Sequence, residues 1–358
     1  MKRIWVLLGV LLTILFCFGM VLYVRSNWTI KSSQKWITGL ITKTTLTTEP
    51  AQWLDRLFQQ EVSLTLSEEL VPRPSRFLYL MQTESCLPSQ LHSIEAIGNA
   101  SSCQCDVLVL SFKQVCTDTP LTHVEYLFNS SSTSWGMGRN VLFEVAKRRN
   151  EQYLYYIFMD DDIVLETKTK KNPWRIFEEF LKQIEPAIGA VDIGDHLWLR
   201  RAYKGRENKG CSLKEPSDYL PVPRFDAAFN AFHYQAVDYI LPYSCRFDVT
   251  SWWFAALYVN IKCEVIFAGQ SVLHTELGAI NPQHLPYPRK MADSSEWTAI
   301  VDEVVADLPE KYQNARLLSD WRRDGYKHEH ISSTLCLPPL PPQTPIKPFA
   351  YLEAAKER

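Results

Sequence analysis

The sequence lacks a charge excess of either sign: 38 Lys and Arg stand against 40 Asp and Glu, a formal net charge of −2 over 358 residues. That balance excludes the basic footprint on which nucleic-acid binding rests. There is no G-x-x-x-x-G-K-[ST] loop, so a P-loop phosphotransferase has no support. Cys103-Gln104-Cys105 has no second paired knuckle, which argues against a structural zinc finger. No internal repeat is visible. What is abundant is apolar material, at 46% hydrophobic and 12% aromatic residues, enough for a packed core rather than a disordered chain.

The longest uncharged run opens the chain. After Lys2 and Arg3, residues 4–24 carry no charge, and Arg25 ends the run. About 20 apolar residues at 1.5 Å rise match a hydrocarbon core of about 30 Å. A cleaved signal peptide has a shorter apolar core and a small-x-small site, which this run lacks. The expectation is therefore a short cytoplasmic tail (1–3), an anchor (4–24) and a lumenal body. The sequons at Asn27, Asn99 and Asn129 fit that orientation, as do the eight cysteines beyond Cys17, an even number suited to disulfides in an oxidising lumen.

Residues 25–74 are polar and read as a stem that closes at Pro72-Arg73-Pro74. From residue 75 to 335 short apolar runs alternate with helical ones, the pattern of an α/β domain. Strands are expected at 77–81, 107–112, 153–159, 188–193 and 265–273. Helices are expected at 141–149, opened by Gly136-Met137-Gly138-Arg139-Asn140, and at 174–184, 231–241 and 296–318. The spacing of Trp174, Phe177, Phe180, Leu181 and Ile184 behind Pro173 supports the second of these. Residues 199–223 read as a charged surface loop. Residues 336–358 form a Pro-rich, polyproline-like tail, an extended terminus or a docking peptide.

One feature demands chemistry. The apolar strand ending in Phe158-Met159 runs directly into Asp160-Asp161-Asp162. Unit charges about 4 Å apart repel by roughly 4 kcal/mol at an effective dielectric near 20. Strand alternation would turn Asp160 and Asp162 to one side and Asp161 to the other. At the carboxyl end of a strand in an open α/β sheet, such a pincer suits Mg²⁺ or Mn²⁺ and a phosphate group. Arg139 at a helix start adds a planar fork suited to phosphate, and helix-start amides attract anions. A solvated acidic turn and ordinary helix-start chemistry are the bland alternatives.

Gly136-Met137-Gly138-Arg139-Asn140, about twenty residues before Phe158-Met159-Asp160-Asp161-Asp162, resembles the front half of a GT-A-type nucleotide-sugar glycosyltransferase. The resemblance implies a mixed, mostly parallel sheet flanked by helices. It implies that Arg139, Asn140, Asp160 and Asp161 lie against the nucleotide and that Asp160 and Asp162 grip the metal. GT-A enzymes often bring a C-terminal histidine to that metal, which singles out His274, with His284 as competitor. Phe225-Asp226-Ala227-Ala228-Phe229-Asn230 resembles an acceptor-side segment, and Arg246-Phe247-Asp248 the place of an acidic base, although Phe247 stands where the family's Glu would be. An inverting transfer needs a carboxylate at the acceptor hydroxyl. Asp248 is the first candidate and Asp226 the second, each with a capping role as its alternative. Trp252 and Trp253 could stack on an acceptor sugar or belong to the core.

The sequence thus points to a single-pass type II glycoprotein of the Golgi or ER membrane. Its expected reaction is metal-dependent sugar transfer from a nucleoside-diphosphate-sugar to a hydroxyl on a glycan, protein or lipid. The alternative is a catalytically silent protein of the same fold that binds carbohydrate or metal.

Overall fold

The structure, a computed structural model, describes residues 76–92, 96–97, 103–116, 123–129, 134–149, 151–193, 218–246, 252–281, 294–324 and 340–356. The expected tail, anchor and stem lie outside the described residues, as do Asn27, Asn99, His284 and Asp248. Among the described residues no helix is long and apolar enough to cross a membrane.

The described chain is mixed α/β, built on one nine-stranded sheet. The strands are β1 (Phe77–Thr83), β2 (Cys105–Ser111), β3 (Val124–Phe128), β4 (Tyr155–Asp160), β5 (Val164–Thr167), β6 (Ile188–Ile193), β7 (Tyr219–Pro221), β8 (Phe229–His233) and β9 (Ser271–Ile280). Their order is β3-β2-β1-β4-β8-β6-β9-β5, with β7 paired to β9. β1 pairs in parallel with both β2 and β4, and β6 with β9, whereas β8 enters antiparallel between β4 and β6. Strands covered on both faces must be apolar throughout, which is why β1 and β4 read as unbroken hydrophobic runs.

Helix α1 (Trp135–Lys147) packs on β1 and β2. It begins at Trp135, so Gly136–Asn140, expected as an opening loop, forms its first turns. Gly138 lies where the flexible end of the Gln82 side chain on β1 packs against the helix. Helix α2 (Pro173–Ile184) matches its predicted span. Asn172 caps it, its side chain accepting from the Trp174 and Arg175 amides, and Pro173 occupies the first turn. Its Phe177 ring meets Phe229 edge-on at 5.0 Å, and Trp174 meets Tyr79 at 5.9 Å.

The expected helix at 231–241 is instead strand β8 followed by the short helix α3 (Val237–Ile240). The expected strand at 265–273 is the end of helix α4 (Trp252–Phe267) and the start of β9. Helix α4 is mostly apolar and buried from Phe254 to Phe267, with Asn260, Lys262 and Glu264 carried inside. The helical stretch expected at 296–318 breaks at Pro309 into α5 (Ser294–Asp307) and α6 (Arg316–Asp324). The C-terminal residues dock on this same body: Gln343 N donates to Ile184 O, Phe349 N to Ile266 O, and the Phe349 ring stacks on Tyr312 at 4.0 Å. Helix α7 (Ala350–Lys356) then packs on α4.

Among the described residues two disulfides are present, Cys86–Cys116 across 30 residues and Cys103–Cys105 across two. By lowering the chain entropy of the unfolded state they stabilise the fold by about 3.6 kcal/mol for the long loop and about 1.2 kcal/mol for the short one. Cys263 is a buried free thiol.

Candidate functional site

β4 is parallel to β1 and β2 and ends at Asp160, which places the acidic triplet at the carboxyl edge of the parallel strands. The strand stops there and Asp161 and Asp162 form a turn, so the alternation expected of a continuing strand does not apply. Each carboxylate is held by a different element. Asp160 Oδ1 accepts from Arg139 at 2.7 Å and from Trp135 Nε1 at 3.0 Å, both on α1. Asp161 accepts from the Thr83 hydroxyl at the end of β1, at 2.7 Å. Asp162 accepts from Asn281 Nδ2, just beyond β9, at 2.5 Å. Pairing of Val164 on β5 with Ile280 on β9 draws Asn281 to that point.

The triplet does not splay into bulk water. Asp162 is 8% exposed and the Asp160 side chain 32%. Burial pushes the Asp161 and Asp162 carboxyls above the usual range, and the charge of neighbouring aspartates pushes them further. Arg139 partners Asp160 alone of the three; among the described residues the side-chain donors to Asp161 and Asp162 are the neutral Thr83 and Asn281. Carboxylate oxygens beside neutral donors are the ligand type that Mg²⁺ or Mn²⁺ takes, so Asp161 and Asp162 are the candidates to hold a divalent cation.

Arg139 is placed differently from the expectation. It is 2% exposed, with its guanidinium stacked 3.9 Å above the Trp135 ring and bonded to Asp160, the Ala227 carbonyl (2.7 Å) and the Tyr243 hydroxyl (3.3 Å). It is an anchor for Asp160 rather than a fork presented to phosphate. Asn140 is likewise committed, donating to Tyr243 O at 2.9 Å and accepting from Tyr243 N at 2.7 Å. In both cases α1 starts earlier than expected, which puts these residues in its second turn, bonded across to Tyr243 and, for Arg139, to Ala227 and Asp160.

Asp226 lies close by in the chain path, because the Ala228 carbonyl accepts from Asp160 N and Asp226 itself bonds Ala228 N at 2.9 Å, the turn-capping geometry weighed as its alternative. It lines a small cavity with Arg224, Trp253 and Asn260. Trp253 is 9% exposed, and the Arg224 guanidinium lies 4.5 Å from its ring centroid. Trp252 opens α4, and its side chain is outside the described set.

The structure does not bring His274 to the acids. It sits within β9, 4% exposed, edge-on to Phe180 at 5.4 Å and Tyr219 at 5.3 Å, whereas the residue that meets Asp162 lies seven positions on at Asn281, just beyond β9. Burial lowers its pKa to about 4, so the ring is neutral and part of the core. An apolar run ending in histidine fits a core position as well as a ligand, and the apolar run wins here.

No protein-family model matches the sequence, and no curated protein matches it. Solved structures do. The chain is similar to S. aureus TarS, at 10% identity and a TM-score of 0.39 over 72% of this chain and 44% of that one. It is similar to the mannosyltransferase PcManGT from Pyrobaculum calidifontis in complex with GDP-Man and Mn²⁺, at 8% identity and 0.38 over 80% and 81%. It is similar to GalNAc-T7 with UDP, GalNAc and Mn²⁺, at 10% identity and 0.36 over 72% and 55%. The chain thus spans less than half of TarS and about half of GalNAc-T7.

Sequence reasoning missed Trp135, Thr83, Tyr243 and Asn281. A local signal existed for Trp135, which stands four residues before Arg139 on one helix face. Thr83 and Asn281 carry none, since only sheet pairing brings them to the aspartates.

Proposed function

We propose that this chain is a metal-dependent glycosyltransferase of the GT-A type, moving a sugar from a nucleoside-diphosphate-sugar to a hydroxyl acceptor. The observation that carries the reading is the Asp160-Asp161-Asp162 turn at the carboxyl edge of the parallel strands, where, among the described residues, Asp160 alone has a cationic partner. Asp161 and Asp162 would hold Mn²⁺ or Mg²⁺. When bound, the cation supplies charge compensation for the departing diphosphate. Arg139 and Trp135 fix Asp160, Thr83 orients Asp161 and Asn281 orients Asp162. For an inverting transfer, Asp248 or Asp226 would take the acceptor proton. Anchorage through 4–24, a lumenal body and a Golgi or ER address complete the reading and rest on the sequence.

The test is a hydrolysis and transfer screen of the full chain in detergent against UDP-, GDP- and CMP-sugars, with Mn²⁺, Mg²⁺ or chelator. The expected result is turnover of at least one donor, lost with chelator and lowered at least a hundredfold in Asp162→Ala. Metal-dependent binding without turnover selects the silent carbohydrate- or metal-binding protein. If no sugar nucleotide binds with any metal, both readings are wrong.

A further inference from the structure

A second group of metal-ligating side chains lies at the other end of the sheet. Cys103 and Cys105 flank the start of β2, level with Phe77 and Tyr155 at the amino ends of β1 and β4. Five residues of strand, about 17 Å, separate that level from Asp160. The ligand atoms of Cys103, Cys105 and His123 lie within 4.8 Å of one another, the one such group of three among the described residues.

Three observations say that this arrangement is more than a staple. A disulfide between cysteines two residues apart restrains the unfolded chain far less than the Cys86–Cys116 link. It nonetheless persists beside a strained backbone: Gln104, between the two cysteines, has φ +48°, a left-handed conformation that non-glycine residues seldom adopt. The surroundings hold it there, since Gln104 O accepts from Phe77 N at 3.2 Å and Gln104 Oε1 from Lys182 at 2.7 Å. Strain maintained by its neighbours is a mark of a functional position.

The third observation is the histidine. His123 Nε2 bonds the Ile97 carbonyl at 2.5 Å. A carbonyl only accepts, so Nε2 is the donor, which leaves Nδ1 as the nitrogen to offer a ligand. A ring nitrogen donating to a backbone carbonyl is the support that metal-bound histidines use to orient the other nitrogen. The backbone of His123 is fixed as well, its carbonyl accepting from Val107 N at 2.9 Å.

We propose that Cys103, Cys105 and His123 form a Zn²⁺ site whose occupancy is set by the redox state of the cysteine pair. The structure holds the oxidised form. A dithiol reductant delivers two electrons and two protons: the S–S bond breaks, two thiols form, and the reductant closes into its own disulfide. Zn²⁺ then binds both sulfurs and His123 Nδ1, releasing the two thiol protons and leaving a fourth position for water. Two thiolates neutralise the dication, so the site can carry metal while buried, as Cys103 (1% exposed) and Cys105 (0%) are. Because the sulfurs are covered, exchange awaits local opening of this sheet edge and is slow. The site is independent of sugar transfer and stands or falls separately from it.

The test uses the full chain reduced with dithiothreitol, freed of reductant without air, and titrated with Co²⁺ as a coloured stand-in for Zn²⁺. The expected result is one equivalent with a thiolate charge-transfer band in the reduced protein and none in the oxidised protein, with Zn²⁺ displacing the Co²⁺. Cys105→Ser should lose the band, and His123→Ala should weaken binding at least tenfold. The double variant Cys86→Ser/Cys116→Ser should retain it. Should Cys105→Ser fail to fold, alkylation of the Co²⁺-loaded wild type decides, with Cys103 and Cys105 protected if the site exists. Reduced protein of native circular dichroism without the band, or equal binding in folded Cys105→Ser, overturns the proposal.

Discussion

Arg139 is a full positive charge at 2% exposure, and what makes that tolerable is a complete set of partners: Asp160, two further oxygens and the face of Trp135. Removing one member of a buried pair strands the other charge, at a cost of about 3 kcal/mol or more. Arg139→Met should therefore lower stability by about that amount in urea unfolding. Arg139→Lys should lose less but not nothing, because an ammonium cannot reach divergent acceptors as a fork does. Equal stability of Arg139→Met and wild type would mean that Asp160 is held by something else. His274 offers a second residue-scale prediction. Its folded pKa of about 4 lies below the ordinary 6.5, so the unfolded chain binds the proton first as pH falls. The stability linked to its neutrality is complete above about pH 6.5 and is lost on descending towards 4. His274→Phe should flatten the fall in melting temperature between pH 6.5 and 5; an unchanged slope would contradict the core role. At this scale the aspartates were legible because three acids after an apolar strand are conspicuous in any sequence. The roles of Arg139 and His274 were not, because burial and neighbours decide between ligand and core, and neither is written locally.

Elements differed in how far they could be read. Helix α2 announces itself through its Asn172 cap, Pro173 and apolar stripe, and β6 through a short apolar run, so both match their predicted spans. β8 does not. Its FNAFH segment carries aromatic residues at spacings that suit either period, and its place between β4 and β6 settles the matter by long-range pairing. The start of α1 was misplaced because Gly136 and Gly138 read as a loop, whereas both lie within the helix. The Pro-rich tail shows the same limit, since its composition suggested an extended terminus while its backbone bonds to Ile184, Gln270 and Ile266. Phe349 is 7% exposed against Tyr312 and α4. Phe349→Ala should cost about 3 kcal/mol and lower the melting temperature by several degrees. A melt indistinguishable from wild type would show that the tail is not part of the folded unit.

Across the whole molecule, parallel strands, acidic residues at the carboxyl end of a strand and an apolar interior are what the sequence pattern predicted, while the turn at Asp161 and Asp162 and the long-range neighbours come from the sheet. Raised carboxyl pKa values at Asp161 and Asp162 have a consequence at this scale. The metal-free native state takes up protons there before the unfolded chain does, so this site's repulsion is relieved as pH falls, and protons compete with a cation. Stabilisation of the full chain by saturating Mn²⁺ should accordingly shrink between pH 7 and pH 5, read as the shift in melting temperature. The central claim is that cation and diphosphate share the Asp160-Asp161-Asp162 edge. Binding linkage tests it most directly: Mn²⁺ affinity of the full chain, read by the free-ion electron paramagnetic resonance signal, is measured with and without UDP and GDP. The account predicts that one nucleotide tightens Mn²⁺ binding, that Mn²⁺ tightens that nucleotide by the same factor, and that Asp162→Asn abolishes both effects. Mn²⁺ binding that ignores both nucleotides, or that survives unchanged in Asp162→Asn, would contradict it.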